Sequence, residues 1–256
     1  MPYDYELSLL PVLLILGAGF VAGFINTVAG GGSMLTLPAL MVLGLPADIA
    51  NATNRVGVLL QSIAGVRGFH ARGKLDPATI VPTLVPSLLG SLCGALLASF
   101  LPVSLLKPTL LLTMIGMGLL MLVQPQVVAP PPGTPVYALR ERPQAWLGLF
   151  IAGIYGGFVQ AGVGFILIAA LAGGLRYDLV RANALKMAIT GALTVIALAV
   201  FIARGQVLWI PGLVLAAGTV AGAVLSVRFA VNAPQSVLRW ILFGMILLSC
   251  AAAYWS

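Results

Sequence analysis

The chain has few charged residues, and few of the side chains that catalysis and metal binding use. Asp, Glu, Lys and Arg make up 7% of its 256 residues, against roughly 25% in soluble domains. It contains six carboxylates, one histidine and two cysteines. Hydrophobic residues reach 61%, and the mean hydropathy is +1.10. This composition excludes a soluble globular protein and predicts a chain that lies in a membrane.

The few acidic side chains are also placed away from the middle of the apolar segments. The six are Asp4, Glu6, Asp48, Asp76, Glu141 and Asp178, all at termini or segment ends. Without a carboxylate in mid-span, a carboxylate proton relay, a sodium cage and a cation pore lack their ligands. His70 is the one histidine, and Cys93 and Cys250 lie in apolar segments with no partner spacing. We therefore predict no catalytic residue, no metal site, no cofactor and no enzyme activity.

The net charge of +7 comes from basic residues scattered between apolar segments. Clustered basic patches are typical of nucleic-acid binding, and their absence here predicts no nucleic-acid partner. Scattered cations instead orient a chain in the bilayer and attract anions.

The chain carries two copies of one pattern. Ala22-Gly23 recurs 130 residues later as Ala152-Gly153. From residue 50 onward the offset is 132, and Ala50-Asn51-Ala52 recurs as Ala182-Asn183-Ala184. A duplicated apolar chain is typical of transporters built from two structural repeats, with the binding site where the repeats meet.

Ten apolar segments, five in each copy, are separated by glycines and prolines. They cover residues 9–29, 33–47, 53–70, 78–101, 105–123, 144–160, 164–175, 184–203, 208–230 and 236–255. Residues 124–143 form a Pro-rich linker, so residues 1–123 hold the first transmembrane repeat and residues 144–256 the second. Four Gly-x-x-x-Gly motifs predict close helix packing. They are Gly19 with Gly23, Gly90 with Gly94, Gly153 with Gly157, and Gly218 with Gly222.

Basic residues between the segments predict the orientation of the chain, because cytoplasmic turns are rich in Lys and Arg. With the N-terminus outside and the linker cytoplasmic, the cytoplasmic turns hold Arg67, Arg72, Lys74, Arg140, Arg142, Arg176, Arg181, Arg228 and Arg239. Five segments per copy invert one copy relative to the other. We therefore predict an all-α polytopic membrane protein of two inverted-topology repeats. Some segments are broken or re-entrant, since residues 164–175 span only about 18 Å as a helix; merging the short segments with their predecessors gives eight crossings.

Each copy has a glycine-rich break inside an apolar stretch. The first is Asn26-Thr27-Val28-Ala29-Gly30-Gly31-Gly32-Ser33, and its copy is Gln160-Ala161-Gly162-Val163-Gly164. Such a break persists in a membrane only inside protein or beside a wet cavity. The helix that restarts after it directs a partly positive N-terminus at that cavity, which favours an anion. Close helix packing through small residues is the alternative interpretation.

A polar stripe follows each break. In the first copy it contains Asn51, Asn54, Arg55 and Gln61, and in the second Asn183, Lys186, Thr190 and Thr194. Buried polar residues are costly in lipid and are usually functional. Cations with no nearby carboxylate favour an anion ligand. Two alternatives remain: helix capping by the asparagines, and snorkelling of Arg55 and Lys186 to the membrane surface.

These motifs resemble a known family. The run from Gly23 to Ser33, with Leu37-Pro38-Ala39-Leu40 and Ala50-Asn51-Ala52-Thr53-Asn54-Arg55, is similar to the first-repeat signature of the sulfite exporter TauE/SafE family. Ala182-Asn183-Ala184-Leu185-Lys186 is similar to the second repeat. The resemblance implies a multi-pass inner-membrane transporter of bacteria or archaea, with seven or eight full crossings. It also implies substrates such as sulfite, sulfoacetate and other C2 sulfonates.

We predict a secondary transporter, an exporter of small sulfur-containing anions that works by alternating access in the bacterial inner membrane. An anion channel, or a transporter of another carboxylate or oxyanion, is the alternative. The predicted substrate-binding residues are Asn26, Thr27, Gly31, Gly32, Ser33, Asn51, Asn54, Arg55, Gln61, Gln160, Gly162, Gly164, Asn183, Lys186 and Thr190. The partners are a small anion and the lipid bilayer. The sequence leaves open a homodimer and the choice of proton or sodium as coupling ion.

Overall fold

The structure is a computed structural model. It describes residues 9–28, 30–106, 108–110, 112–113, 130, 134–234 and 237. Every regular element among these residues is helical. The helices are α1 (Leu9–Val28), α2 (Ser33–Val42), α3 (Ala47–His70), α4 (Pro77–Phe100), α5 (Pro143–Phe158), α6 (Val163–Ile168), α7 (Leu179–Ala203) and α8 (Trp209–Asn232). A 3₁₀ turn covers Leu139–Glu141, and α6 continues as a π-helix over Ala169–Gly174.

Four of the described helices, α1, α4, α7 and α8, are long and apolar enough to cross a bilayer. Helix α3 has 24 residues, which is also sufficient length at 1.5 Å per residue, but the polar stripe lowers its hydropathy. The prediction of an all-α polytopic membrane protein is confirmed. Most of segments 105–123 and 236–255 lies outside the described residues, as do residues 124–129 and 131–133 of the linker.

Each copy begins with a helical hairpin. In hairpin 1, α2 turns back along α1: Gly32 lies against Ala22, while Leu37 and Leu40 pack with Ile15 near the start of α1. In hairpin 2, α6 and its π-helical extension turn back along α5. Gly148 lies against Ala170, and Gly174 against Ala145. Helix α2 has 10 residues, or about 15 Å, so segments 33–47 and 164–175 are returning half-length arms.

Close glycine contacts give the direction of the long helices. Along α1 and α8, Gly19 lies against Leu215 and Gly23 against Thr219, so these helices are parallel. Along α3 and α8, Gly57 lies against Leu215 and Gly68 against Val227. Helices α1, α3 and α8 therefore run in one direction.

Helices α4, α5 and α7 run the other way. Gly90 lies against Phe150 and Gly94 against Ile154, so α4 and α5 are parallel. Helices α3 and α7 are antiparallel, because Gly65 lies against Met187 and Ser62 against Gly191.

Helix α4 is also parallel to α7. Thr79 and Arg181, near their starts, line one pocket, and further along Ser91 Oγ donates to Leu193 O at 2.8 Å. Each described long helix of the first copy thus runs opposite to its counterpart in the second, which are α1 and α5, α3 and α7, and α4 and α8.

The two copies interlock through the small-residue motifs. The first helix of each copy packs on the third long helix of the other, α1 on α8 and α5 on α4. A methyl group on Gly222 would collide with the carbonyl of Phe20, and one on Gly94 with the carbonyl of Ile154. The Gly-x-x-x-Gly motifs therefore serve close backbone contact between the copies.

The exposed cations of the described residues are unevenly distributed. Eight lie at the end of the molecule where α3 and α8 finish and α4, α5 and α7 begin, which we call the cationic face. They are Arg67, Arg72, Lys74, Arg140, Arg142, Arg176, Arg181 and Arg228. At the opposite face, Arg204 stacks on Phe100 with 4.6 Å between its guanidinium carbon and the ring centroid.

Candidate functional site

The turns of the two hairpins meet inside the protein. Tip 1 is residues 30–33 and tip 2 is residues 159–164. Gly30 lies directly against the backbone of Gly164, and Gly31 against the ring of Phe165. Gly30 has φ +105° and Gly162 has φ +81°, conformations that glycine adopts without steric cost. The glycines predicted to break the helices therefore allow both the turns and the close approach of the two tips.

Lys186 of α7 holds the end of α1. Its ammonium donates to the backbone carbonyls of Asn26 at 2.6 Å and Thr27 at 3.2 Å, and to Asn183 Oδ1 at 2.7 Å. The side chain is 1% exposed. The last carbonyls of a helix lack intrahelical partners and carry partial negative charge. Lys186 therefore satisfies this helix end with two of its three donors, and the third bonds Asn183 within α7.

Arg55 of α3 does the same for α5 in the other copy. Its guanidinium donates to the carbonyls of Gly156 at 2.5 Å and Gly157 at 2.9 Å, while Asn51 Nδ2 donates to Phe158 O at 2.9 Å. Arg55 is fully buried and stacks over the ring of Phe201 at 5.3 Å. Each broken helix thus ends on a cation from the other copy.

Neither buried cation pairs with a carboxylate of the described residues. The salt bridge found among those residues joins Arg181 to Asp178. The alternative of snorkelling is wrong for both, because they are buried and bonded to protein. The alternative of N-capping by the asparagines is wrong: the N-cap of α3 is Pro46, and Asn51 instead donates to Phe158 O at the C-terminal end of α5, in the other copy. The N-cap of α7 is Asp178, whose carboxylate accepts from the backbone N–H groups of Val180 and Arg181.

Several buried polar atoms of α3 and tip 2 have no hydrogen-bond partner among the described residues. They include the donors Asn54 Nδ2, Arg55 Nε, Gln61 Nε2 and Ser62 Oγ on α3, and the acceptor Gln160 Oε1 of tip 2. Asn54 keeps its oxygen occupied, because Thr36 Oγ1 donates to it at 2.7 Å. An unpaired buried donor costs about 1–3 kcal/mol, and native proteins leave few of them. Donors left free beside two buried cations favour an anionic ligand.

The two copies differ at this point. Gln160 Nε2 of tip 2 donates to Thr194 Oγ1 of α7 at 2.7 Å. At the equivalent positions of the first copy stand Gly30 and Ser62, so Ser62 has no amide partner. The repeats therefore leave a free hydroxyl on the side of tip 1 and a bonded one on the side of tip 2.

All fifteen predicted site residues are buried. The structure places Gly31, Gly32, Ser33, Gln160, Gly162 and Gly164 at the meeting tips. The helix ends that lead into the tips involve Asn26, Thr27, Asn51, Arg55, Asn183 and Lys186. Gln61 lies two turns beyond Asn54, about 10 Å along α3, next to Ser62, and its Nε2 has no partner among the described residues. Sequence reasoning omitted Thr36, Ser62 and Thr194 from the site. The last two occupy equivalent positions at the offset of 132, which was the available signal.

Comparison with known proteins identifies the family of the chain. The family model described as "Sulfite exporter TauE/SafE" matches residues 15–253. The chain belongs to this family. A "Probable membrane transporter protein" of Haemophilus influenzae is 29% identical over 92% of this chain and 91% of its own. The TauE/SafE resemblance expected from the glycine-rich break is confirmed.

Two further relatives of the TauE/SafE chain have similar names. "Probable membrane transporter protein ORF9" of Sinorhizobium sp. is 29% identical over 98% of this chain and 93% of its own. "Probable membrane transporter protein YfcA" of Escherichia coli K12 is 29% identical over 88% and 84%. No solved structure matches significantly. The chain is thus a multi-pass protein of a family of sulfite exporters and probable membrane transporters.

Proposed function

We propose that this protein is a secondary transporter that exports a small sulfur-containing anion, such as sulfite, sulfoacetate or another C2 sulfonate. The observation that carries the proposal is the pair of buried cations at the hairpin tips, with no described carboxylate partner and with free donors beside them. The family name and the names of the relatives support transport, and the cations support a negative charge on the substrate.

The anion would bind by replacing its hydration shell with protein donors. Arg55 Nε, Asn54 Nδ2 and Ser62 Oγ are free to donate. The donors of Lys186 are already used by Asn26, Thr27 and Asn183. An oxyanion that competes for Lys186 would therefore loosen the end of α1, because a helix end left unsatisfied in a membrane is unfavourable.

This competition supplies a route to alternating access. Hairpin 1 is held by the cation of α7 and hairpin 2 by the cation of α3, so each hairpin is fastened to the other copy. An anion between the tips would weaken one fastening and let one copy rock against the other, as in other inverted-repeat transporters. Direction then follows the substrate and coupling-ion gradients.

The uneven distribution of cations supports an orientation. Cytoplasmic ends of membrane proteins are rich in Lys and Arg. We therefore assign the cationic face to the cytoplasm, which places the N-terminus outside and the linker inside, in the inner membrane of a bacterium.

Transport is tested with the purified protein in proteoliposomes loaded with sulfite, sulfoacetate, sulfate or acetate. We expect saturable efflux of sulfite or a sulfonate, and a selective rise in melting temperature in detergent with the same anion. Saturable efflux of acetate or sulfate alone would contradict the substrate class. Flux that rises linearly with concentration would indicate a channel. No efflux of any anion would contradict the proposal.

A further inference from the structure

A second cluster of cations surrounds a pocket at the base of hairpin 2, on the cationic face. The pocket has a volume of about 230 Å³. The start of α5 contributes Arg142 and Gln144, the end of the π-helix contributes Gly173-Gly174 and Arg176, and the linker contributes Tyr137. It lies apart from the hairpin tips, and both arms of hairpin 2 form its wall.

The two arginines are arranged around one aromatic ring. The guanidinium carbon of Arg142 lies 4.1 Å from the ring centroid of Tyr137, and that of Arg176 lies 5.5 Å from it. Arg176 Nη1 also donates to the Tyr137 hydroxyl at 3.3 Å. A guanidinium has five N–H donors, so each arginine keeps donors beyond its contact with Tyr137, and these match the oxygens of a carboxylate, sulfonate or phosphate.

No carboxylate of the described residues neutralises this pair. Glu141 is adjacent in sequence, but its Oε2 accepts from the backbone N–H of Ala138 at 3.0 Å. Asp178 pairs with Arg181 at 3.4 Å. Arg142 and Arg176 lower the pKa of the Tyr137 hydroxyl, as expected for a hydroxyl beside two cations. Two like charges near one ring repel each other until an anion joins them.

The backbone holds Arg176 in an unusual conformation. Its φ is +66°, in the left-handed region that non-glycine residues rarely adopt. The flanking Leu175 accepts a hydrogen bond from the Tyr137 N–H at 3.0 Å, and the Tyr177 N–H donates to Leu171 O at 3.1 Å. The first contact holds this turn against the linker and the second holds it against the π-helix, which keeps the guanidinium beside Tyr137.

We propose that this pocket is a second anion site, which binds an oxyanion between Arg142 and Arg176. The oxyanion is a free sulfonate or sulfate-like anion, or the phosphate of an anionic lipid headgroup at the membrane surface. Its occupant touches both arms of hairpin 2, so binding here would brace the hairpin that carries tip 2. The pocket would bind its anion whether or not the tips transport one.

The test compares two variants with a matched control, all as full-length protein in detergent. Arg142→Gln removes one ligand. Arg176→Gly removes the other at a position where glycine is conformationally favoured, so the fold should be kept. Arg204→Gln is the control, since Arg204 also stacks on an aromatic ring but at the opposite face. An unchanged ligand-free melting temperature establishes that each variant is folded.

Each protein is titrated with sodium sulfate by calorimetry, and separately with phosphatidylglycerol in mixed micelles by thermal shift. We expect both arginine variants to bind one probe about tenfold more weakly, the loss expected for one charged hydrogen bond, while the control binds as the wild type does. Loss with sulfate identifies a free anion, and loss with the lipid alone identifies a headgroup. If both variants bind both probes as Arg204→Gln does, the site does not exist. Lys186→Met, which changes the end of α1, should bind the probe at this pocket as the wild type does. Binding at the pocket can therefore be tested separately from transport through the tips.

Discussion

The ammonium of Lys186 donates to the backbone carbonyl of Asn26 at 2.6 Å, across the boundary between the two copies of the chain. Arg55 makes the corresponding contact with Gly156 in the opposite sense. The two cations come from positions that differ by one residue at the offset of 132. They nevertheless make equivalent contacts, because each repeat ends its first helix inside the protein, where the last carbonyls need a donor.

Removing the ammonium should affect stability and binding together. Lys186→Met leaves two helix-end carbonyls and Asn183 Oδ1 without this donor, which we expect to lower the free energy of unfolding by about 1–3 kcal/mol. Sulfite or sulfonate efflux should be lost as well. Lys74→Met is the control, since Lys74 is exposed on the cationic face. Melting temperature and proteoliposome efflux measure both effects, and a Lys186→Met variant as stable and active as the control would contradict the site.

Ser62 offers a test that separates ligand binding from stability. Its hydroxyl is buried and unpartnered, so Ser62→Ala should leave the ligand-free protein as stable as the wild type or more so, and should weaken anion affinity. The matched variant is Ser226→Ala, because the Ser226 hydroxyl donates to Phe24 O at 2.7 Å. This variant should lose about 1 kcal/mol of unfolding free energy and keep the anion affinity of the wild type. Affinity is measured by calorimetry. Unchanged affinity in Ser62→Ala would exclude this hydroxyl as a ligand.

The contact between the tips should not tolerate a methyl group. Gly164→Ala would press its new carbon against the backbone of Gly30, and overpacking of this kind typically costs about 1–3 kcal/mol. The control is Gly17→Ala in α1, where no atom lies within 4 Å of the added carbon. We expect a lower melting temperature and slower efflux only in Gly164→Ala. Equal behaviour of the two variants would show that the tips do not need their close contact.

The interlocked glycine motifs should respond in pairs. Gly94→Ala would collide with the carbonyl of Ile154, and Gly222→Ala with that of Phe20. Because the two interfaces are equivalent, we expect similar losses of roughly 1–3 kcal/mol, measured by SDS-induced unfolding in mixed micelles. A large loss in one variant and none in the other would mean that the two interfaces contribute unequally.

Two arginines at equivalent positions of the two copies test the orientation of the protein in the membrane. Arg72 lies at the cationic face and Arg204 at the opposite one. In a variant with Cys93 and Cys250 replaced by Ser, a membrane-impermeant maleimide should label Arg204→Cys in intact cells. Arg72→Cys should react only after permeabilisation. The reverse labelling pattern would mean that the cationic face lies outside the cell. Labelling of both cysteines from one side would contradict the opposite directions of α3 and α7.

Part of the site could be predicted because its signals are local. A run such as Gly30-Gly31-Gly32 inside an apolar stretch breaks a helix whatever surrounds it. The stripe of Asn54 and Gln61 is visible from helical spacing alone. What could not be predicted was the partner of each cation. Arg55 and Lys186 were assigned to a substrate, whereas in the structure they also hold helix ends, and a backbone carbonyl that lacks a partner has no sequence signature.

The sequence by itself determined the membrane location, the helical class, the duplication and the places where helices break, since each depends on composition or on neighbours along the chain. Only the tertiary structure decided that α1 packs on α8 and α5 on α4, that Gly30 meets Gly164, and that each cation serves the other copy. Those pairings join residues from about 60 to about 200 positions apart along the chain. They depend on how the two copies pack together, which no local pattern encodes.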